Sequence, residues 1–171
     1  MDYQTVVDFG QNADIITIEI ENVNVEALQT LQEQGKKVFP KPETLAIIQD
    51  KAKQKQFYKT HKLPTADFQS FDIKPDWDSV KAPLIWKASR FGYDGKGQLL
   101  INNRAELRGG FEKLGGVPCV FEQFLALHSE VSVIVARDKK GDTSVFPVAE
   151  NQHCNGILDL TISPARISDL L

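Results

Sequence analysis

Residues 83–98 read Pro-Leu-Ile-Trp-Lys-Ala-Ser-Arg-Phe-Gly-Tyr-Asp-Gly-Lys-Gly-Gln. A short apolar run carries a lysine, Lys87, and gives way to a loop with glycines at 92, 95 and 97 and a second lysine, Lys96. Leu84, Trp86 and Ala88 alternate with Ile85, Lys87 and Ser89, which is the period of a strand, so Lys87 stands on one face of it. Glycine lets backbone N–H groups close on an anion, and lysine neutralises it. A strand lysine under a glycine loop is one way to hold a polyphosphate. The same letters also suit a tight hairpin on a lysine-rich surface, because Tyr-Asp-Gly and Gly-Lys-Gly occur in ordinary turns. Two nucleotide motifs are excluded. No Ser or Thr follows Lys96 as a Walker A loop requires, and the glycines run G-x-x-G-x-G, which is not the dinucleotide order.

Beyond the loop, Gln98 to Asn102 reads as a strand and Arg104 to Leu114 as a helix weakened by Gly109 and Gly110. Val117 to Phe124 alternates again, with Cys119, Phe121 and Gln123 opposing Val120, Glu122 and Phe124. Glu130 to Arg137 is a further strand. Thr143 to Ala149 pairs with it across the turn Asp138-Lys139-Lys140-Gly141-Asp142.

Before the loop, residues 13–23 read as a strand, with Ile16, Ile18 and Ile20 on one face and Ile15, Thr17, Glu19 and Glu21 on the other. Asn24 suits the N-cap of a helix through Val25, Leu28 and Leu31, with Gly35 as its stop. Lys37 to Phe39 is a short strand, so the order is β-α-β and the two strands are parallel. Ligands of such sheets sit beyond the carboxyl ends of strands. Glu19 and Glu21 lie at that end, either to hold a substrate or simply solvated. Pro42 opens a helix with Leu45, Ile47 and Ile48. The helix from Lys51 to His61 is strongly basic, with Lys51, Lys53, Lys55 and Lys59, and a solvated face explains most of these lysines. Ala66 to Phe71 reads as a strand and Lys74 to Trp77 as a loop.

A chain of 171 residues makes one domain or two small ones, and its apolar fraction of 42% suffices for a core. The net charge of -3 argues against a general nucleic-acid surface, so any anion site must be a local cluster such as Lys87, Arg90 and Lys96. Cys119 and Cys154 have no metal-ligand spacing and read as reduced thiols of a cytoplasmic protein, with a disulfide between them the alternative that sequence leaves open. No apolar run reaches membrane length, and a signal peptide is not expected. His61 and His128 read as surface residues, and His153 follows a strand, where a lone histidine is more often structural.

Taken in order, several motifs carry a resemblance. They are Thr17-Ile-Glu-Ile-Glu-Asn22, Ile48-Gln-Asp-Lys51 with Lys55-Gln56, Gly92 to Gln98, Glu122-Gln-Phe124, Glu130-Val-Ser132 and Gly156-Ile-Leu158. This set resembles the 5-(carboxyamino)imidazole ribonucleotide synthases, ATP-grasp ligases of purine biosynthesis. The resemblance implies an α/β (mixed α+β) ATP-grasp fold in partial form. Residues 1–45 would end a Rossmann-like pre-ATP-grasp domain, 46–125 would form the small lobe with its flap, and 126–171 would begin the large lobe. Family members are longer, so the chain looks like a central piece of the enzyme. The family's magnesium-binding acidic residues have no counterpart here, so no metal ligand is expected within the chain.

The family also implies roles. Lys87 would contact the α- and β-phosphates of ATP. Gly92, Tyr93, Asp94, Gly95, Lys96, Gly97 and Gln98 would form the flap over them. Lys51 stands at an ATP-contacting position where many members have arginine, which keeps the charge without the bidentate fork. Glu122, Gln123, Phe124 and Leu125 would link the lobes and read the adenine edge, Glu130 would accept from the ribose, and His153 would lie near the nucleotide. Tyr93, Lys96, Glu19 and Glu21 would face the imidazole ribonucleotide. The implied reaction passes from ATP and bicarbonate through carboxyphosphate to carboxylation of aminoimidazole ribonucleotide. A homodimer in the cytoplasm, with Mg²⁺ and no nucleic-acid or membrane partner, completes the family picture. Another ATP-grasp ligase, such as a glycinamide ribonucleotide transformylase or a biotin carboxylase, would share Lys87 and the loop. A nucleotide-binding module without catalysis, or a plain interaction domain, remains a different class of answer. Apolar faces left uncovered would favour self-association.

Overall fold

The computed structural model describes residues 2–72, 77–92, 97–114 and 116–167. The described residues fall into two compact units that part between Phe124 and Leu125.

The first unit opens with α1 (Tyr3–Gln11), whose N-cap Asp2 accepts from Thr5 N at 2.9 Å. Then follow β1 (Ile15–Thr17), α2 (Val25–Glu33) and β2 (Lys37–Phe39), and the two strands pair in parallel. Asn24 caps α2 as its sequence position suggests, accepting from Ala27 N at 2.9 Å. Val6, Val7, Ala27, Leu28, Leu31, Val38 and Leu45 make the core of this layer.

The expected strand over 13–23 is much shorter. Its last pair is Thr17 with Phe39, and the next residue of the partner is Pro40, which has no N–H to continue the ladder. Alternation therefore fails beyond Thr17. Ile16 and Ile18 pack on the core while Ile20 is exposed. Glu19 and Glu21 stand in the bends after β1 and do not share a strand face.

α3 (Pro42–Ile48) begins with its proline at N1 or N2, and α4 (Lys51–Thr60) is capped by Asp50. Then come β3 (Phe68–Phe71), β4 (Leu84–Ala88), β5 (Gln98–Ile101), α5 (Arg104–Lys113) and β6 (Cys119–Gln123). The strands form one antiparallel sheet in the order β3-β6-β4-β5. The expected loop at Lys74 to Trp77 falls mostly outside the described residues. On one face of the sheet Leu84, Trp86, Ile101, Cys119 and Phe121 join Leu107 of α5 in a second core. Gly110 does more than weaken α5. A Cβ there would lie 2.8 Å from Trp86 Cζ3, so the missing side chain lets the helix close on the indole. The other face carries Ile85 and Lys87 of β4 beside Val120 and Glu122 of β6.

Both cysteines are free, as read from their spacing. Cys119 is buried, and burial pushes its thiol up to about 11, against a small lowering by the Trp86 side chain. Cys154 is exposed. Because thiolate is the reacting form, a maleimide at pH 8 is expected to label Cys154 and spare Cys119 until the chain unfolds. Mass spectrometry of the labelled protein would read one adduct; two adducts under native conditions would contradict the burial. Since the folded thiol sits above its ordinary value of 9.0, its contribution to stability is complete below pH 9 and fades as pH rises toward 11.

The second unit holds β7 (Glu130–Ser132), β8 (Val135–Arg137), β9 (Thr143–Val145), β10 (Ala149–Cys154) and β11 (Ile157–Ile162). The expected single strand over Glu130 to Arg137 is two. β7 pairs with β10, whereas β8 pairs with β9. Between the pairs Ser132 with Ala149 and Val135 with Val145, residues 133–134 face 146–148, and Pro147 removes a donor there. The turn holds as expected, with Asp138 Oδ1 accepting from Lys140 N and Asp142 N at 2.8 and 3.0 Å. β10 and β11 meet through Asn155-Gly156, both at positive φ, an arrangement suited to a tight hairpin. The Arg166 guanidinium lies 2.7 Å from Glu150 and holds that carboxyl down to about 2. Ile134, Val145, Phe146, Leu158 and Leu160 remain exposed, in line with strands expected to leave an apolar face open.

Candidate functional site

Lys87 stands in the middle of the four-stranded sheet with its side chain about a quarter exposed. Its Nζ lies 3.0 Å from Glu122 Oε2. The pairing follows from register. Lys87 is opposite Val120 and Glu122 is opposite Ile85, so the two polar side chains sit diagonally on one face of adjacent strands. A second ammonium reaches the same oxygen: Lys55 Nζ is 3.2 Å from Glu122 Oε2 and donates to Thr65 Oγ1 at 2.6 Å. Lys55 and Glu122 are both buried.

Lys55 is quoted among the family motifs, but its burial and its pairing with Glu122 are what sequence reasoning missed. Most lysines of α4 are solvated as expected, but this one is not. The inward stripe of α4 is Lys51, Gln54, Lys55 and Tyr58, at helical spacing i, i+3, i+4 and i+7. Beside it only Ala52 of α4 is apolar and half-buried, so a hydropathy pattern gives little sign of this face.

Lys51 opens α4, and its backbone N–H donates to Ser89 O at 2.8 Å, tying the helix start to the end of β4. Arg90 Nη2 donates to Gln49 Oε1 at 3.2 Å, and Gln49 Nε2 donates to the carbonyls of Glu21 and Val23 at 2.6 and 2.8 Å. A buried glutamine thus joins the segment after β1 to the root of the glycine loop. Glu19 and Glu21 themselves are exposed, and in Glu21 it is the carbonyl that is engaged.

Gly92 and Gly97 close the base of the glycine loop. Ala88 N donates to Gly97 O at 2.7 Å, and Gly97 takes φ +72 with Gly92 Cα 3.2 Å from where a Cβ would stand. Glycine suits this crossing on both counts. Gln98 begins β5 opposite Lys87 and is exposed. Tyr93, Asp94, Gly95 and Lys96 lie outside the described residues. Glu122 and Gln123 still belong to β6, so the expected linker is strand at its first two positions, and Phe124 and Leu125 follow exposed. A cleft of about 970 Å³ opens at that end of the sheet, lined by Thr65, Phe68, Leu84, Glu122 and Phe124 among others, and Lys87 is not in its wall. Glu122, the carboxylate that both lysines share, is in that wall.

In the second unit Glu130 and His153 come together, with Glu130 Oε2 2.5 Å from His153 Nδ1. Strand pairing does this, since Glu130 is opposite Asn151 and the bulge after Gln152 shifts His153. Among the described residues no group of three His, Cys, Asp or Glu is placed to hold a metal ion. No described helix is long and apolar enough to cross a membrane.

A β-sheet lysine at the root of a glycine loop, with a parallel β-α-β layer before it, is the arrangement the sequence motifs imply. The model of the ATP-grasp domain matches residues 56–171, and that of the ribonucleotide synthetase preATP-grasp domain matches residues 1–49. The chain belongs to the ATP-grasp family.

Relatives of this ATP-grasp chain include the N5-carboxyaminoimidazole ribonucleotide synthase of Pseudomonas aeruginosa, 34% identical over 95% of this chain and 46% of that protein. The crystal structure of N5-carboxyaminoimidazole synthetase from Staphylococcus aureus complexed with ADP superposes with a TM-score of 0.89 at 35% identity, covering 97% of this chain and 45% of that one. The corresponding synthetase of Thermus thermophilus gives a TM-score of 0.85 at 29% identity, over 97% of this chain and 45% of that one. The chain spans about half the length of these relatives.

Proposed function

We propose that this chain supplies much of the ATP site of a 5-(carboxyamino)imidazole ribonucleotide synthase. The whole protein would carboxylate 5-aminoimidazole ribonucleotide at the expense of ATP and bicarbonate, in purine biosynthesis. The observation that carries this reading is the Lys87–Glu122–Lys55 cluster, set on an ATP-grasp sheet at the base of the glycine loop. Two ammonium groups against one carboxylate leave a net positive charge facing the place where phosphates would lie. The ADP held by the Staphylococcus aureus relative and the shared fold support the same assignment.

The division would be residues 1–45 as the end of the pre-ATP-grasp domain, 46–125 as the small lobe and 126–171 as the start of the large lobe. Lys87 would meet the phosphates and Lys51 would contact the ATP, and residues 92–98 would close over the phosphates and exclude water. Exclusion matters because carboxyphosphate, formed when bicarbonate attacks the γ-phosphate, is lost to hydrolysis in an open site. Glu122 to Leu125 would take the adenine, and Glu130 with His153 the ribose side. Glu19, Glu21, Tyr93 and Lys96 would serve the imidazole ribonucleotide. The magnesium that the resemblance implies would be held by acidic residues outside this chain. A cytoplasmic homodimer is the assembly proposed for the whole enzyme.

Calorimetric titration with ADP and Mg²⁺ tests the reading. Lys87→Ala is expected to weaken ADP binding about tenfold or more, since a charge-assisted hydrogen bond is worth roughly 1.5–3 kcal/mol. Equal affinities in the two proteins would remove Lys87 from the site. The 171-residue chain alone is expected to lack synthase activity.

A further inference from the structure

We propose that Lys55 is a positioning residue for polyphosphate binding: it holds the Glu122 carboxylate, so that Lys87 can pass from Glu122 to a phosphate without stranding a buried charge. The inference rests on the reading of Lys87 as a phosphate ligand.

The two lysines share one oxygen but are not equivalent. The side chain of Lys55 is 10% exposed and that of Lys87 is 23% exposed. Lys55 is also fixed twice, by Glu122 Oε2 at 3.2 Å and by Thr65 Oγ1 at 2.6 Å, which uses two of its three N–H donors. Lys55 is held at both ends of its reach: its backbone is inside α4, and its head is clamped between β6 and the segment before β3. Lys87 has Glu122 as the partner given by the described residues, and it lies closer to solvent. Of the two, Lys87 is the one able to move.

Moving it has a consequence for Glu122. That residue is 8% exposed, and a buried carboxylate that loses its only counter-ion is heavily penalised. With a single lysine in the site, Glu122 and an incoming phosphate would compete for the same ammonium, and the nucleotide would have to bear the cost of stranding the carboxylate. With Lys55 in place, the Lys55–Glu122 pair stays neutral after the transfer, and Lys87 is released to the phosphate. Lys55 therefore acts on the ligand through Glu122 and does not touch it.

The test uses the 171-residue chain and reads the ratio of ADP to adenosine affinity by calorimetry, because that ratio isolates the phosphates from any effect on the base. Lys55→Met is expected to lower the ratio at least tenfold. Glu122→Gln added to Lys55→Met removes the buried carboxylate and is expected to restore the ratio to within threefold of wild type. A residue that merely supports the fold would lower both affinities together and would not be rescued. The inference is overturned if Lys55→Met leaves the ratio unchanged, or if the double variant stays as weak as the single one. Should Lys55→Met fail to fold, the double variant is measured directly: a ratio near wild type supports the inference, and a tenfold loss overturns it by making Lys55 a ligand in its own right. Wild-type chain that binds no ADP would defeat the nucleotide reading and the inference with it, whereas wild-type binding that Lys55→Met does not alter defeats the inference alone.

Discussion

Trp86→Ala is expected to destabilise the four-stranded sheet by about 3–5 kcal/mol, the usual cost of truncating a buried tryptophan. Trp86 is 1% exposed and forms the hub of its core. Its ring meets Phe121 edge-on at 4.7 Å, Trp77 at 5.7 Å and Phe111 at 6.3 Å. Gly110 has given up a side chain to let α5 approach it, so the cavity left by alanine would open directly against helix backbone. Domains of this kind are stable by only about 5–15 kcal/mol, so such a loss takes a large share of the total. Lys87 is the next residue of the same strand and points to the opposite face. Slack on the core face therefore loosens the lysine as well, and ADP affinity should fall with stability. Urea unfolding followed by tryptophan fluorescence and far-ultraviolet dichroism measures the first effect, with Trp86→Phe expected to cost much less. A midpoint for Trp86→Ala close to wild type would mean that the indole is not the centre of the core.

Glu122→Ala should destabilise the same unit by about 3 kcal/mol, from the low end of the range for breaking a buried ion pair. Two ammonium groups would lose the one carboxylate oxygen they share. Lys55 would keep only Thr65, in a place with almost no water. Lys87 relaxes toward solvent more readily because a quarter of its side chain is already exposed, and that is why the low end applies. The double variant Glu122→Ala with Lys55→Met should recover much of the loss, since it removes the uncompensated charge along with the carboxylate. A double-mutant cycle by urea unfolding measures this coupling. Additive losses would show that the two side chains do not depend on one another.

Much of the fold is legible in local sequence. Asn24 accepts from the third residue after it, Pro42 stands at the start of its helix, and Asp138 gathers the N–H groups of its own turn. Each signal works because both partners lie within a few residues, where chain connectivity already holds them together. The alternation of Leu84 to Ser89 is equally local, and it separates Lys87 from the face of Leu84, Trp86 and Ala88. The ordered motifs also pointed to the family, and the likeness to its members extends over most of the chain.

Tertiary structure decided the rest, because these outcomes depend on residues far away in sequence. β1 stops at Thr17 because Pro40, the residue just past β2, has no N–H to extend the ladder. Residues 130–137 break into two strands because Pro147 lies opposite the break. Gly110 looks like a weak point in a helix until Trp86 is packed against it. Lys55 is one of several lysines on a basic helix, and only the approach of β6 buries it and gives it Glu122, a residue that lies 67 positions further on. Local sequence sets which conformations a segment favours, whereas burial and charge pairing are properties of the assembled sheet. For this protein the first determined the strand that carries Lys87, and the second determined the electrostatic partners that hold it.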